Sequence, residues 1–368
     1  MAEKRKRIKK SPLKRVIQII GTVICLLMLT VVGYLVYVLV DYHRIADNQT
    51  LDVESPVSVK AETGTEYTLV TWNLGFGAYS DDYTFFMDGG KESRAYSENA
   101  VYANINGAVN KLKEINPDFM FLQEIDFDAT RSYHVDERVP ITAAFPDMSY
   151  VFAVNYDSPY LFYPVTSPHG ASKAGIMTLS DYSISSAVRR SLPIESGFRK
   201  FLDLDRCFSV SKAELENGKQ LVLINLHLSA YSEDGGIATE QLKMLIEVMR
   251  EEADAGNYVI CGGDFNKDLL GNSPDVFGVI SDEPLSWAQP IPEGTIPEDF
   301  TLVVGFDAEA PVPTTRNTDI PYQKGVSFCA TIDGFIVSSN VTVVSCETLD
   351  YGFENSDHNP AVLKFTLN

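Results

Sequence analysis

Cysteine, histidine and tryptophan are scarce in this 368-residue chain, which holds five, five and two of them. No CxxC pair and no His-rich run occurs, which argues against a disulfide scaffold and against a zinc centre of clustered soft ligands. Cys25 lies in an apolar N-terminal run, and Cys207, Cys261, Cys329 and Cys346 lie in apolar strand-like stretches, where a thiol serves as a small buried hydrophobe. One pair could still be oxidised outside a cell. Basic residues are outnumbered, 30 against 50 acidic, for a net charge of -20, so a broad basic surface for nucleic acid is not expected. Internal repeats and low-complexity runs are also missing. With 45% hydrophobic residues, 22% charged residues, 18 Tyr and 20 Phe, the chain is neither wholly disordered nor collagenous.

The charge is unevenly placed. Residues 1–15 carry eight Lys/Arg against Glu3 alone, so the rest of the chain stands near -27. Between the basic tip and the acidic body runs Val16 to Val40, uncharged, without Pro and rich in Val, Ile and Leu. As a helix it would reach about 37 Å, enough to span a bilayer core of about 30 Å with some tilt. A cleavable signal peptide usually has a shorter apolar region and a small-x-small cleavage site, whereas this run leads into Asp41-Tyr42-His43-Arg44. The expected organisation is a basic cytoplasmic tip (1–15), a transmembrane helix (16–40), a short polar tether (41–65) and an outward-facing body (66–368). Asn48-Gln49-Thr50 and Asn340-Val341-Thr342 match the glycosylation acceptor pattern.

From Tyr67 onward short apolar runs alternate with amphipathic stretches. Strands are predicted at Tyr67–Asn73, Asp118–Gln123, Ser149–Asn155, Gly175–Leu179, Ile184–Arg190, Cys207–Glu214, Gln220–Leu228, Tyr258–Cys261, Ile332–Val337, Val341–Cys346 and Ala361–Leu367. Helical spacing marks Ala100–Ile115, stopped by Asn116-Pro117, and Thr239–Ala255, ended by Gly256-Asn257. Many strands and few helices imply an α/β body of two packed mixed sheets flanked by helices, a four-layer α/β/β/α sandwich. Phe76–Glu98, Tyr156–Ser172 and Leu270–Phe328 read as long irregular insertions.

Apolar strands end abruptly in residues able to bind a metal or a phosphate. These ends are Thr71-Trp72-Asn73, Leu122-Gln123-Glu124, Asn225-Leu226-His227-Leu228, Gly262-Gly263-Asp264-Phe265-Asn266 and Ser356-Asp357-His358-Asn359-Pro360, with Thr331-Ile332-Asp333 as a sixth. Each alone reads as a surface acid or a satisfied core histidine. Together, on one rim, several carboxylates would repel one another unless a cation neutralised them. Oxygen ligands such as Glu124, Asp357 and a neighbouring Asn suit Mg²⁺ or Mn²⁺ better than zinc. Hard cations held this way commonly support phosphoryl chemistry.

In order and content these motifs resemble the endonuclease/exonuclease/phosphatase superfamily over about Tyr67 to Asn368. The resemblance implies that Glu124 is the principal metal ligand, with Asn73 supporting that shell and Asp357 touching the metal. Asp264 would orient and deprotonate the attacking water, and Asn266 would hold the same water or the developing charge. His227 and His358 would donate to phosphoryl oxygens, and Asp333 would orient a histidine. Arg206, and more loosely Lys173, fall where related enzymes place phosphate-binding cations.

The motifs imply a reaction type and leave the substrate open. An anchored body favours a membrane-borne or small extracellular phosphate ester; an extracellular nuclease acting on DNA or RNA is the alternative, made less expected by the acidic body. The aromatic-rich insertions, with Tyr79, Tyr83, Phe85, Phe86 and Met87 in one and Tyr156, Tyr160, Phe162 and Tyr163 in the other, form either a substrate-facing rim or a plug packed on the domain. An idle binding module on the same fold is disfavoured because the metal and base residues are all present.

Overall fold

The computed structural model describes residues 12–194, 200, 205–230, 236–278 and 288–368. Most of the basic tip (1–11) and residues 279–287 of the third insertion lie outside the described residues. The chain divides into two compact units, Met1–His43 and Arg44–Asn368. In the first, a helix spans Pro12–Asp41, and by length and composition it is apolar enough to cross a membrane.

The second unit is built on two seven-stranded mixed sheets. One runs in the order Val341–Thr348, Ala361–Leu367, Glu66–Asn73, Phe119–Ala129, Ser172–Ser180, Ser149–Asp157 and Val53–Glu54. The other runs Gln49–Thr50, Ile184–Ser191, Cys207–Glu214, Gln220–His227, Tyr258–Asp264, Asp333–Ser338 and Phe300–Val303. Period-two alternation sends one set of side chains inward and the next outward. Tyr67, Leu69, Phe119 and Phe121 of the first sheet meet Leu223, Ile260 and Phe335 of the second in the central core. Their neighbours face out: Val70, Trp72 and Met120 pack on Val101, Ile105 and Leu112 of the Glu98–Ile115 helix. Val222, Ile224 and Val259 pack on Leu242, Leu245 and Met249 of the Gly236–Asp254 helix. Both faces of each central strand are therefore apolar, which is why these strands read as hydrophobic runs. The four-layer arrangement expected from the sequence is the observed one.

Local signals set the helix ends. The Ser97 side chain accepts from Ala100 N at 3.1 Å and caps the first helix, while Asn116 ends it in the left-handed region at φ 51°. The segment 41–65, expected as a tether, does not behave as one from Arg44 onward. Gln49–Thr50 pairs with Ile184–Ser191 on one sheet and Val53–Glu54 pairs with Ser149–Asp157 on the other. Its polar, aperiodic sequence suits two-residue edge strands, too short to show alternation.

Each sheet contains one parallel pair that matters for the site. Leu69–Asn73 lies alongside Phe119–Gln123, and Leu221–His227 lies alongside Tyr258–Asp264. Parallel pairing brings C-terminal strand ends to one rim, so Asn73 stands beside Gln123, and Asp264 beside His227. Asp333, starting the antiparallel neighbour, faces Asp264 in register.

Candidate active site

On the first sheet the rim backbone is irregular. The Phe119–Ala129 strand bulges between Leu122 and Ile125, and Glu124 within the bulge has φ 55°. A left-handed, non-glycine residue costs roughly 1–2 kcal/mol, and bulges of this kind re-aim a side chain. The bulge turns the Glu124 carboxylate to the rim, where Asn73 Nδ2 reaches it at 3.3 Å and it stays 27% exposed. Beyond Asn73 the chain enters a left-handed turn: Gly75 has φ 54°, and its N–H donates to Asn73 Oδ1 at 3.0 Å. A Cβ on Gly75 would lie 2.5 Å from the Tyr79 ring and 2.8 Å from Asp357 Oδ1, so glycine is required twice over. Ser356 donates to Asn73 O at 2.6 Å and Trp72 Nε1 to His358 O at 2.8 Å, which docks the Asp357-His358 loop on the same rim.

The second sheet contributes buried strand ends. Asp264 Oδ2 lies 3.1 Å from Asn73 Nδ2, 3.4 Å from His227 Nε2 and 3.8 Å from His358 Nε2, while Asn266 N donates to Asp264 Oδ1 at 2.9 Å. Asp333 Oδ2 holds His358 Nδ1 at 2.8 Å. Across the sandwich, Gln123 Nε2 donates to Asn225 Oδ1 at 2.8 Å, tying the two sheets just behind the site.

Burial and neighbouring charge spread the titrations apart. Burial, then the Asp333 charge, push the Asp264 carboxyl up to about 7, and burial pushes Asp357 up to about 6, with Glu124 adding to the rise. Burial opposes the charge of His358, but Asp333 and then Asp357 and Asp264 raise it to about 10. Burial, then the Arg206 and His358 charges, hold His227 well below its ordinary value. A cationic His358 thus faces a neutral His227, whose Nδ1 has no partner among the described residues. An acid poised near neutrality beside an oriented imidazolium can take a proton from water and donate to a phosphoryl oxygen.

The endonuclease/exonuclease/phosphatase family profile matches residues 70–358. The chain belongs to that family. It is accordingly a phosphoric ester hydrolase, and enzymes of the family generally depend on a divalent metal. No curated protein matches the sequence. Among solved structures the fold is similar to an endonuclease/exonuclease/phosphatase from Beutenbergia cavernae DSM 12333, at 19% identity and TM-score 0.55, covering 82% of this chain and 72% of that one. It is also similar to ANGEL2, a 2′,3′-cyclic phosphatase in complex with adenosine-2′,3′-vanadate (15% identity, TM-score 0.55, 86% of this chain, 98% of that one). The human Nocturnin catalytic domain with bound sulfate is a third (16%, TM-score 0.52, 86% and 98%). At these identities the likeness concerns the fold.

Of the residues singled out in the sequence, the structure brings together Asn73, Glu124, His227, Asp264, Asn266, Asp333, Asp357 and His358 on this rim. Asn266 has φ 47°, and its Nδ2 donates to Leu228 O at 2.8 Å, so its side-chain nitrogen is already engaged. Arg206 sits next to Cys207, whose strand pairs Phe208 with Leu226; that register leads Arg206 to the His227 end. Lys173 is not brought in. It is half-exposed and faces Asp157 at 3.9 Å.

The sequence reading missed the support behind Glu124. Buried Asp126 takes two bonds from Arg131, at 2.9 and 3.0 Å, and one from Ser132 at 2.8 Å. The backbone of Asp126 is held at both ends by Glu137, whose Oε2 accepts from Asp126 N at 3.0 Å and whose N–H donates to Asp126 O at 3.0 Å. Arg131 also lies 3.9 Å over the Phe76 ring. Two charged residues spaced two apart around a strand end were the available signal. The first aromatic insertion is a plug: Phe76, Tyr79, Tyr83 and Phe85 are buried in the core. In the second, Phe162 and Tyr163 stand 55% and 70% exposed.

Proposed function

We propose that this protein is a membrane-anchored, Mg²⁺- or Mn²⁺-dependent hydrolase of phosphate esters, with the N-terminus cytoplasmic and the catalytic body outside. The helix Pro12–Asp41 supports the anchor and the basic residues before it support the orientation. The observation that carries the reaction is the convergence of Glu124, Asp264, His227 and His358 around Asn73 and Asp333, from six separate chain segments.

The donor set fits a hard cation. Glu124 is partly exposed and Asp357 half-buried on an oxygen-rich rim, and the upward push on Asp357 and Asp264 is what a nearby cation would relieve. Asp264, Asp333 and His358 also place ligand atoms within 4.8 Å of one another. In that trio, however, His358 Nδ1 is committed to Asp333 and Asp264 Oδ1 to Asn266 N, which suits proton handling better. Glu124 and Asp357, with Asn73 in support, would hold such a cation, which when bound would supply charge neutralisation for the phosphoryl group. Asp264 holds the attacking water and takes its proton. His358, kept cationic and oriented by Asp333, donates from Nε2 to the charge developing on the phosphoryl group, and neutral His227 donates beside it. Asn266 fixes Asp264 through its backbone N–H, and Arg206 binds a phosphate oxygen.

A lipid-linked or small phosphate ester is the substrate class we favour, because the anchor raises its effective concentration and the body is acidic. Glu124→Ala and His358→Ala are each expected to abolish hydrolysis of an aryl phosphodiester in Mg²⁺ while leaving thermal unfolding cooperative. Retained activity in both purified variants would overturn the assignment. Phospholipid, sphingomyelin, inositol phosphates and plasmid DNA, each with EDTA controls, separate the substrate classes; rapid plasmid nicking without lipid activity would select the nuclease reading.

A further inference from the structure

Arg189 is among the largest fully buried side chains of the body, and its guanidinium serves carbonyls from three distant segments. It donates to Val154 O at 2.8 Å, to Ala46 O at 3.3 Å, to Ser191 Oγ at 2.6 Å and to Asp205 O at 2.6 Å. The segment thus gathered, Arg44–Asp47, starts three positions after the apolar helix ends at Asp41. It makes further bonds of its own. Ile45 N donates to the buried Asp205 Oδ1 at 2.8 Å, and Arg44 Nη2 donates to Leu192 O at 2.8 Å. Leu192 N in turn donates to Arg206 O at 2.9 Å. Arg206 is therefore flanked on its N-terminal side by Asp205, which Ile45 and Arg189 grip, and on its own carbonyl by Leu192, which Arg44 grips.

We propose that the juxtamembrane segment Arg44–Asp47, through Asp205 and Leu192, positions Arg206 for the phosphate of the substrate. This rests on reading Arg206 as a phosphate-binding residue at the His227 end of the neighbouring strand. Arg44, Ile45, Arg189 and Asp205 are positioning residues and touch no reacting atom. The segment that leaves the anchor is thereby part of the substrate-binding apparatus, and a guanidinium held at one place needs less ordering when the phosphate arrives. A loosened Arg206 still carries its charge, so the effect falls on ground-state binding and leaves proton transfer at Asp264 intact.

The test uses full-length protein in detergent micelles with an aryl phosphodiester at saturating Mg²⁺. Arg206→Ala is expected to raise KM about tenfold, and Asp205→Ala and Arg44→Ala each about three- to fivefold, with kcat within about twofold. Neither positioning change should move the half-saturating Mg²⁺ concentration. In the Arg206→Ala background, adding Asp205→Ala or Arg44→Ala should raise KM no further, because both act through the missing guanidinium. Arg44→Ala removes the bond to Leu192 O and a positive charge near Asp205 but leaves the hydrogen bonds of Asp205 in place, so it stays informative if Asp205→Ala fails to fold. An unchanged KM in Arg206→Ala overturns the phosphate-binding reading and the proposal with it. A raised KM in Arg206→Ala, with Arg44→Ala either silent or fully additive to it, overturns the positioning role alone.

Discussion

The rim of the first sheet is built from left-handed backbone and stays partly open, with Glu124 in a bulge, Gly75 in a tight turn and Asp357 in a docked loop. The rim of the second sheet also has positive φ, at Gly263 and Asn266, but it is almost dry: His227, Asp264 and Asp333 are all buried. The carboxylates proposed as cation ligands, Glu124 and Asp357, are on the open side, where a hydrated cation would keep some of its water. Asp264 and His227 stand on the dry side, where burial lifts the Asp264 carboxyl toward neutrality and keeps His227 uncharged, and His358 reaches Asp264 from the docked loop of the first rim. Proton transfer and cation binding need opposite solvation, and the proposed mechanism assigns them to the dry and the open parts of one hydrogen-bond network.

This division can be broken at three strengths. The largest effect is expected from Asp264→Asn, which removes the proton acceptor and should lower kcat by about 10²–10⁴. Asp264 is pushed up to about 7, mainly by burial, so its base form accumulates as pH rises through that value. His358 keeps its proton until about 10. Activity should therefore rise from the acid side and fall on the alkaline side, and a bound cation should pull the acid limb below 7 because it favours the carboxylate. A pH–rate profile shows whether the residual activity of Asp264→Asn has lost the acid limb.

Next in size is Gln123→Ala, which deletes the cross-sheet bond to Asn225 and leaves a buried amide oxygen unpaired. A loss of about 1–3 kcal/mol in urea unfolding is expected. The smallest effect concerns Glu137. Burial, then the Asp126 charge, raise its pKa well above the ordinary carboxylate value, so the folded protein holds a proton there that the unfolded chain releases. Stability from this group is full below about pH 4.5 and is lost as pH rises toward the folded value. Glu137→Gln cannot titrate, so its Tm should gain on that of the wild type between pH 5 and pH 8; a constant difference across that range would contradict a protonated Glu137.

The second rim was more legible in the sequence than the first. Gln220–His227 announces itself by an apolar run, whereas the strand predicted at Tyr258–Cys261 runs on through Gly262-Gly263 to Asp264; their polar ends fall on the rim by parallel register. Glu124 stands out in the sequence as an expected ligand, yet the predicted strand stops at Gln123, whereas the strand continues to Ala129 through the bulge. A single left-handed residue interrupts the period-two pattern, so alternation could not carry across it. Arg131, Asp126 and Glu137 escaped notice because charged residues ordinarily mean surface, and only tertiary packing buries these as a matched set. The edge strands at Gln49–Thr50 and Val53–Glu54 are shorter than any periodic signal. Lys173 was drawn to the site by its place before Gly175, and the fold turns it to Asp157 instead.

The most direct test of the division between the two rims is the Mg²⁺ dependence of aryl phosphodiester hydrolysis in Glu124→Gln and Asp264→Asn, measured side by side with the wild type. Glu124→Gln is expected to raise the half-saturating Mg²⁺ concentration by about tenfold or more and to recover part of its rate at high metal. Asp264→Asn should lose rate at every Mg²⁺ concentration while its half-saturation stays within about threefold of the wild type. Equal shifts in both variants, or a metal-rescued Asp264→Asn beside an unrescued Glu124→Gln, would contradict that division.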